Sequence, residues 1–188
     1  MATKITTGTV RASFVNIFSP QPPSAQTLRQ NPNAKGKYGI TLLIPKSDTA
    51  TMEALRKAEN EAKEIGKNTK FDGRIPGNLT SIIHDGDTEQ DLEKYPEFEG
   101  HWYMAVRSDR KPVIVDQNVQ EILDATEVYS GCWVKASVNA YPFNFEGKKG
   151  ISFGLNAIQK VRDDEAFSGT KIVAEEEFSP ITDDGGVL

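Results

Sequence analysis

The stretch Trp133 to Phe143 alternates between two kinds of residue. Val134, Ala136, Val138 and Ala140 are small and apolar; Trp133, Lys135, Ser137, Asn139, Tyr141 and Phe143 are aromatic, cationic or hydrogen-bonding. Successive side chains of a strand point to opposite faces. The pattern therefore predicts a strand with one face for a barrel interior and another free to do chemistry. Three rings, a lysine and small polar groups on one open face suit unpaired nucleic acid. Bases stack on rings, for roughly 1–3 kcal/mol each, while cations track the phosphates. The same rings could instead pack beneath a helix or against a partner subunit, which leaves a homodimer open.

Similar mixtures recur along the chain. Lys35, Lys37 and Tyr38 stand where a loop enters a strand, and Tyr103 and Arg107 share one face of another. Arg110 and Lys111 follow in a turn, Lys148 and Lys149 cap a hairpin, and Lys160 and Arg162 end the last strand. The candidate nucleic-acid-binding set is Lys35, Lys37, Tyr38, Tyr103, Arg107, Arg110, Lys111, Trp133, Lys135, Tyr141, Phe143, Lys148 and Lys149. If these converge on one sheet face they make a groove; scattered, they are solvated surface.

The acidic stretch HDGDTEQDLE invites a metal reading, since His84, Asp85, Asp87 and Glu89 are crowded. It has no glycine and no closing glutamate at the spacing of a calcium loop, and a nuclease centre draws carboxylates from several strands. A polar turn held by Asp–backbone hydrogen bonds is the better expectation. His101 has no triad partner in view, and no phosphate-cradling loop, zinc spacing or nucleophile elbow occurs. No catalytic residue, cofactor or metal is expected. The lone Cys132 excludes an intrachain disulfide, fits a reducing cytoplasm, and reads as buried and inert.

The elements that must position these residues are mostly strands. Strands are predicted at 10–18, stopped by Pro20, Pro22 and Pro23, and at 37–44, 79–83, 102–107, 113–115, 133–143 and 151–161. A long loop fills the interval up to Gly36, and residues 145–150 form a hairpin loop. One helix is predicted, capped by Ser47 or Asp48, running to about Ile65 and ended by Gly66, with Met52, Leu55, Ala58, Ala62 and Ile65 as its apolar stripe. Many strands and one helix point to a small closed barrel with that helix packed on it.

Composition agrees with one domain and appendages: 188 residues, 37% hydrophobic. There is no apolar run of about 18 residues to span a membrane, and MATKITTGTV has no signal core. Charge is unevenly spread. Residues 163–188 hold eight acids and one base, net −7, leaving 19 acids and 21 bases, net +2, in residues 1–162. The chain thus divides into a nucleic-acid-binding domain, 1–162, and an acidic, flexible C-terminal tail, 163–188, able to occupy a basic groove or recruit basic partners.

Several irregular segments occur together and in order: ASFVNIFSP, GKYGITLLIPKSD, IIHDGD, EFEGHWYMAVRSDRKPVIVD and EVYSGCWVKASVNAYPFNFEGKKGISFGLNAIQKVRDDEAFSG. In these the chain resembles the single-stranded-DNA-binding proteins of tailed bacteriophages, over most of Phe14 to Gly169. The resemblance implies a mainly β OB-fold, a five-stranded barrel with one prominent helix and elaborated loops. It also implies non-catalytic binding of single-stranded DNA with little sequence preference, in phage replication and recombination, in the cytoplasm of an infected host. An acidic tail contacting replication or recombination proteins is implied too, although this one is not a solid acidic run and ends ITDDGGVL. Two other readings stand beside it: a metal-dependent nucleic-acid-processing enzyme using Asp85 and Asp87, and a phage structural or adaptor protein whose aromatic face meets another protein.

Overall fold

The computed structural model describes residues 3–167. In chain order its elements are β1 (Thr3–Thr6), β2 (Val10–Gln21), α1 (Ala25–Gln30), β3 (Lys37–Pro45), α2 (Thr49–Thr69), β4 (His84–Asp85), β5 (His101–Ser108), β6 (Val113–Val115), β7 (Trp133–Phe145) and β8 (Lys148–Arg162), with single 3-10 turns at Pro96–Phe98 and Ala125–Glu127.

The alternation in β7 has the predicted consequence: Val134, Ala136, Val138 and Ala140 are all fully buried. β7 and β8 are joined by Glu146 and Gly147, at φ 51° and 85°. Two successive positive φ values are what a two-residue turn needs to match strand twist. Pairing then runs antiparallel from Phe145↔Lys148 to Trp133↔Arg162, with one extra β8 residue at Asn156 and another at Val161. The bulge at Asn156 resets the pleat, so the buried series Ile151, Phe153, Leu155 continues at Ile158.

The ring closes as β7–β2–β3–β5–β8 and back to β7. All these pairs are antiparallel except β5 with β8, joined in parallel at Arg107↔Gly154. Counting only ring strands, the order is 1-2-3-5-4-1, that of an OB-fold. β1 prolongs the edge of β2 along β7, and β6 prolongs that of β5 along β8. Where β1 passes into β2, Thr7 keeps the ladder whole. Its N–H donates to Ala136 O at 2.9 Å, and its hydroxyl accepts from Ala136 N at 3.0 Å.

α2 lies between the second and third ring strands, with Leu55, Ala58 and Ala62 in the same core cluster as the barrel interior. Asp48 caps it, accepting from Thr51 N at 3.2 Å. Gly66 does not end it; α2 runs on to Thr69. A Cβ at Gly66 would lie 2.5 Å from the Phe71 ring and 2.7 Å from Pro142, so this glycine serves close packing.

Three other expectations are corrected. β2 continues through Pro20 to Gln21, because its pairing with β3 is irregular between Asn16 and Gln21 and asks no N–H of the proline. The loop before Gly36 contains α1, capped by Ser24. The strand at 79–83 reduces to one bridge, Thr80↔Gly150, followed by the two-residue β4. β1, in a polar stretch without alternation, was not expected.

Candidate nucleic-acid interface

β3 and β5 pair in a register that puts Gly39 opposite Arg107, Thr41 opposite Ala105 and Leu43 opposite Tyr103. Lys37, two residues before Gly39, shares their outer face. A Cβ on Gly39 would lie 3.2 Å from Arg107 Cγ, so the arginine stem lies close against β3 at this glycine. The two cations line two clefts at once. The first, about 410 Å³, adds Lys35, Gln21 and the Pro22–Ser24 wall leading into α1. The second, about 440 Å³, adds Tyr103, Ala105, His84, Tyr141 and Ser152. Together they form one open track with cations at one end and rings at the other.

Tyr103 is held in place. Its ring meets Phe98 edge-on at 5.0 Å and lies 5.2 Å from His84, and its hydroxyl donates to Glu89 O at 3.3 Å. Burial and the nearby Glu89 charge push its phenol pKa up, so it stays neutral. Tyr141 is 38% exposed. Sites that hold their own side chains fixed bind with less ordering cost.

Of the thirteen candidates, five line this track: Lys35, Lys37, Tyr103, Arg107 and Tyr141. Tyr38 is half-buried and alternates away from it. Arg110 and Lys111 are exposed in the β5–β6 turn, Lys111 with its ammonium 5.6 Å from the Phe18 ring. Phe143, Lys148 and Lys149 gather at the β7–β8 tip, where Lys149 pairs with Asp72 at 3.2 Å. Lys37 has its own weak partner, Asp109 at 3.6 Å, both exposed. Trp133 and Lys135 lie at the far end of β7; eight residues of strand put Trp133 about 26 Å from Tyr141.

Trp133 is already engaged by the chain's own acids. Arg11 and Arg162 stand 5.6 and 4.6 Å from its ring centre, and its Nε1 donates to Asp164 at 2.8 Å. Arg11 reaches Asp164 at 3.5 Å and donates to Glu165 O at 3.0 Å. Tyr129 donates to Asp163 at 3.0 Å, and Lys160 pairs with the same carboxylate at 2.8 Å. The Trp133 bond holds the Asp164 carboxyl below the usual range, and the Lys160 bond does the same for Asp163. Residues 163–167 are thus strapped to the barrel; the rest of the acidic tail lies outside the described residues.

The stretch after His84 is a polar turn. Lys46 Nζ donates to Asp85 and Asp87, each at 2.6 Å. Asp87 N–H donates to Asp85 Oδ1 and Gly100 N–H to Asp87 Oδ1, both at 2.9 Å. Hydrogen bonds from Lys46 hold both aspartates below the ordinary carboxylate range, and the pair raises Lys46 in turn. His101 Nδ1 lies 2.7 Å from Glu99 O. Among the described residues no cluster of His, Cys, Asp or Glu could hold a metal ion, and no helix is long and apolar enough to cross a membrane. Cys132 is fully buried, and burial pushes its thiol pKa up.

Sequence reasoning missed His84, Ser152 and the Pro22–Thr27 wall, which only the barrel's curvature brings to the track. It also missed Phe145, 63% exposed. That residue continues the alternation Tyr141, Phe143 once the strand is allowed two more residues.

Comparison with known proteins agrees with the fold. The profile of the family described as "Enterobacter phage Enc34, ssDNA-binding protein" matches residues 3–188. "Putative protein p50" of Acyrthosiphon pisum secondary endosymbiont phage 1 is 28% identical over 187 residues, 95% of this chain and 94% of that one. The structure of the single-stranded DNA-binding protein from bacteriophage Enc34 in complex with ssDNA superposes with a TM-score of 0.72 at 27% identity, over 88% of this chain and 89% of that chain. The gp2.5 single-stranded DNA binding protein of bacteriophage T7 shares the fold, with a TM-score of 0.61 at 16% identity over 100% of both chains. Matched from its third residue onward and built on the same barrel, the chain belongs to the family of the Enterobacter phage Enc34 ssDNA-binding protein.

Proposed function

We propose that this chain binds single-stranded DNA without cutting it and with little sequence preference, in phage DNA replication and recombination. The observation that carries the reading is the continuous track on the outer face of β3 and β5. Lys35, Lys37 and Arg107 meet phosphates there, and Tyr103 and Tyr141 offer ring faces to unpaired bases. Ring stacking and phosphate neutralisation act alike on every base, which favours tolerance of sequence. The likeness to a protein solved with ssDNA supports the same reading. Arg110, Lys111, Lys148 and Lys149 add positive potential around the track rather than contacts within it.

The hydrolase alternative draws no support from Asp85 and Asp87, since Asp85 Oδ1 and both oxygens of Asp87 are engaged by Lys46 and by backbone N–H groups. The acidic tail is the surface for recruiting replication or recombination proteins, and the host cytoplasm is where the protein works. The test is affinity for a dT oligomer against duplex of equal length, with magnesium present and the DNA examined afterwards. Preference for the single strand and intact DNA are expected. Equal or stronger duplex binding would sink the binding mode, and magnesium-dependent cuts abolished by replacing Asp85 and Asp87 would sink the non-catalytic reading.

A further inference from the structure

Tyr141 lines a second cleft on its other side, between the C-terminal turn of α2 and the end of β7. Its walls are Ile65, Thr69 and Lys70 from the helix and Tyr141 to Phe145 from the strand. Within it Phe143 is seated. Gly150 leaves room for its ring, since a Cβ there would lie 2.7 Å from Phe143 Cζ. Phe145, by contrast, is the most exposed aromatic residue among those described, at 63%. The cleft is braced, because Asn144 Nδ2 donates to Lys70 O at 3.2 Å and ties helix end to strand.

We propose that this cleft is a second subsite of the same DNA track, in which a base stacks on Phe145 while Lys70 and Lys148 meet the adjoining phosphates. The inference rests on reading the Lys37–Arg107–Tyr141 track as the DNA path. Three observations select nucleic acid as the occupant. The cleft shares Tyr141 with the track, so a strand leaving Tyr141 enters it without a gap. Tyr141, Phe143 and Phe145 share one face and repeat about every 7 Å, so rings follow the strand's course. The rim carries three cations: Lys70 ends α2, Lys148 is the register partner of Phe145, and Lys149 lies beside it; against them stand two exposed acids at the tip, Glu146 and Asp72, the latter paired with Lys149.

The test uses the full chain and a dT oligomer of about 16 nucleotides, the upper end of OB-fold site sizes. Phe145→Ala should weaken binding by about tenfold, with Arg107→Ala as the comparison. In Phe145→Trp, emission gained over the wild type should be quenched when the oligomer binds. An unchanged affinity in Phe145→Ala, or unquenched emission in Phe145→Trp, while Arg107→Ala still weakens binding, overturns the subsite and leaves the track; Phe145 would then face a protein partner. If Arg107→Ala is also without effect, the track itself fails and the subsite with it.

Discussion

Arg107 is the residue on which the binding reading turns, because it lines both clefts and its stem lies close against Gly39 of β3. Each phosphate neutralised on a single strand contributes about −0.7 to the slope of log affinity against log salt. Arg107→Ala should therefore weaken binding to every sequence alike and make the slope shallower by about 0.7; a salt titration with an unchanged slope would remove Arg107 from the phosphate path. Lys46 gives a second test at this scale. Its two aspartates have folded pKa values below their unfolded ones. Their contribution is therefore present above the ordinary carboxylate range and is lost as pH falls through the lowered values. Lys46→Met should lower the melting temperature at neutral pH, and the gap from wild type should narrow below about pH 4, where the carboxylates begin to protonate. Melting curves over that range decide it, and a gap independent of pH would mean that Lys46 acts through its ammonium over the Trp102 ring, 4.9 Å away, rather than through the two aspartates.

At the scale of elements, α2 matters because it plugs the barrel that holds the track. A glycine in a helix interior ordinarily costs about 1 kcal/mol against alanine, so Gly66→Ala would stabilise an isolated α2. Here the added methyl meets the buried Phe71 ring and Pro142, and overpacking costs typically 1–3 kcal/mol. The packing term wins where neither neighbour can retreat. Gly66→Ala should thus lower the melting temperature by several degrees, a result differential scanning calorimetry would show; a rise would mean that Pro142 and the end of β7 yield. The β7–β8 hairpin is the other element with consequences. Its two-residue turn, rather than a six-residue loop, extends both strands and carries Phe145 out beside Lys148.

For the whole molecule the distribution of charge decides. The basic body carries the track, while the first acids of the tail, Asp163 and Asp164, are spent on Lys160, Tyr129, Trp133 and Arg11 at the barrel's other end. A cut before Glu175 spares that strap and removes five acids: Glu175, Glu176, Glu177, Asp183 and Asp184. If those acids compete with DNA for the track, the shortened chain should bind single strands more tightly at low salt. The gain should fade as the Debye length shrinks to about 10 Å at 0.1 M. Fluorescence anisotropy at two ionic strengths measures this, and equal affinities at low salt would leave the tail with recruitment alone.

What the sequence by itself determined is the part that follows from local periodicity. The alternation of β7 names its buried face residue by residue, the 3.6-residue stripe finds α2, and the pair Ser47 and Asp48 brackets its start, because each signal lies within a few residues of its effect. Tyr103 and Arg107 on one face, and the polar turn at Asp85, were legible for the same reason. Tertiary structure alone decided which cations and rings meet. Lys37 reaches Arg107 through the β3–β5 register, and Tyr141 joins them only because the ring closes through β8. It also set Trp133 apart from Tyr141: their places in the alternation match, but the strand end of Trp133 is met by Arg11, Arg162 and Asp164. Gly66 shows the same division. By local rules a glycine there ends a helix; Phe71 and Pro142, brought in by the fold, make it the residue that lets the helix pass.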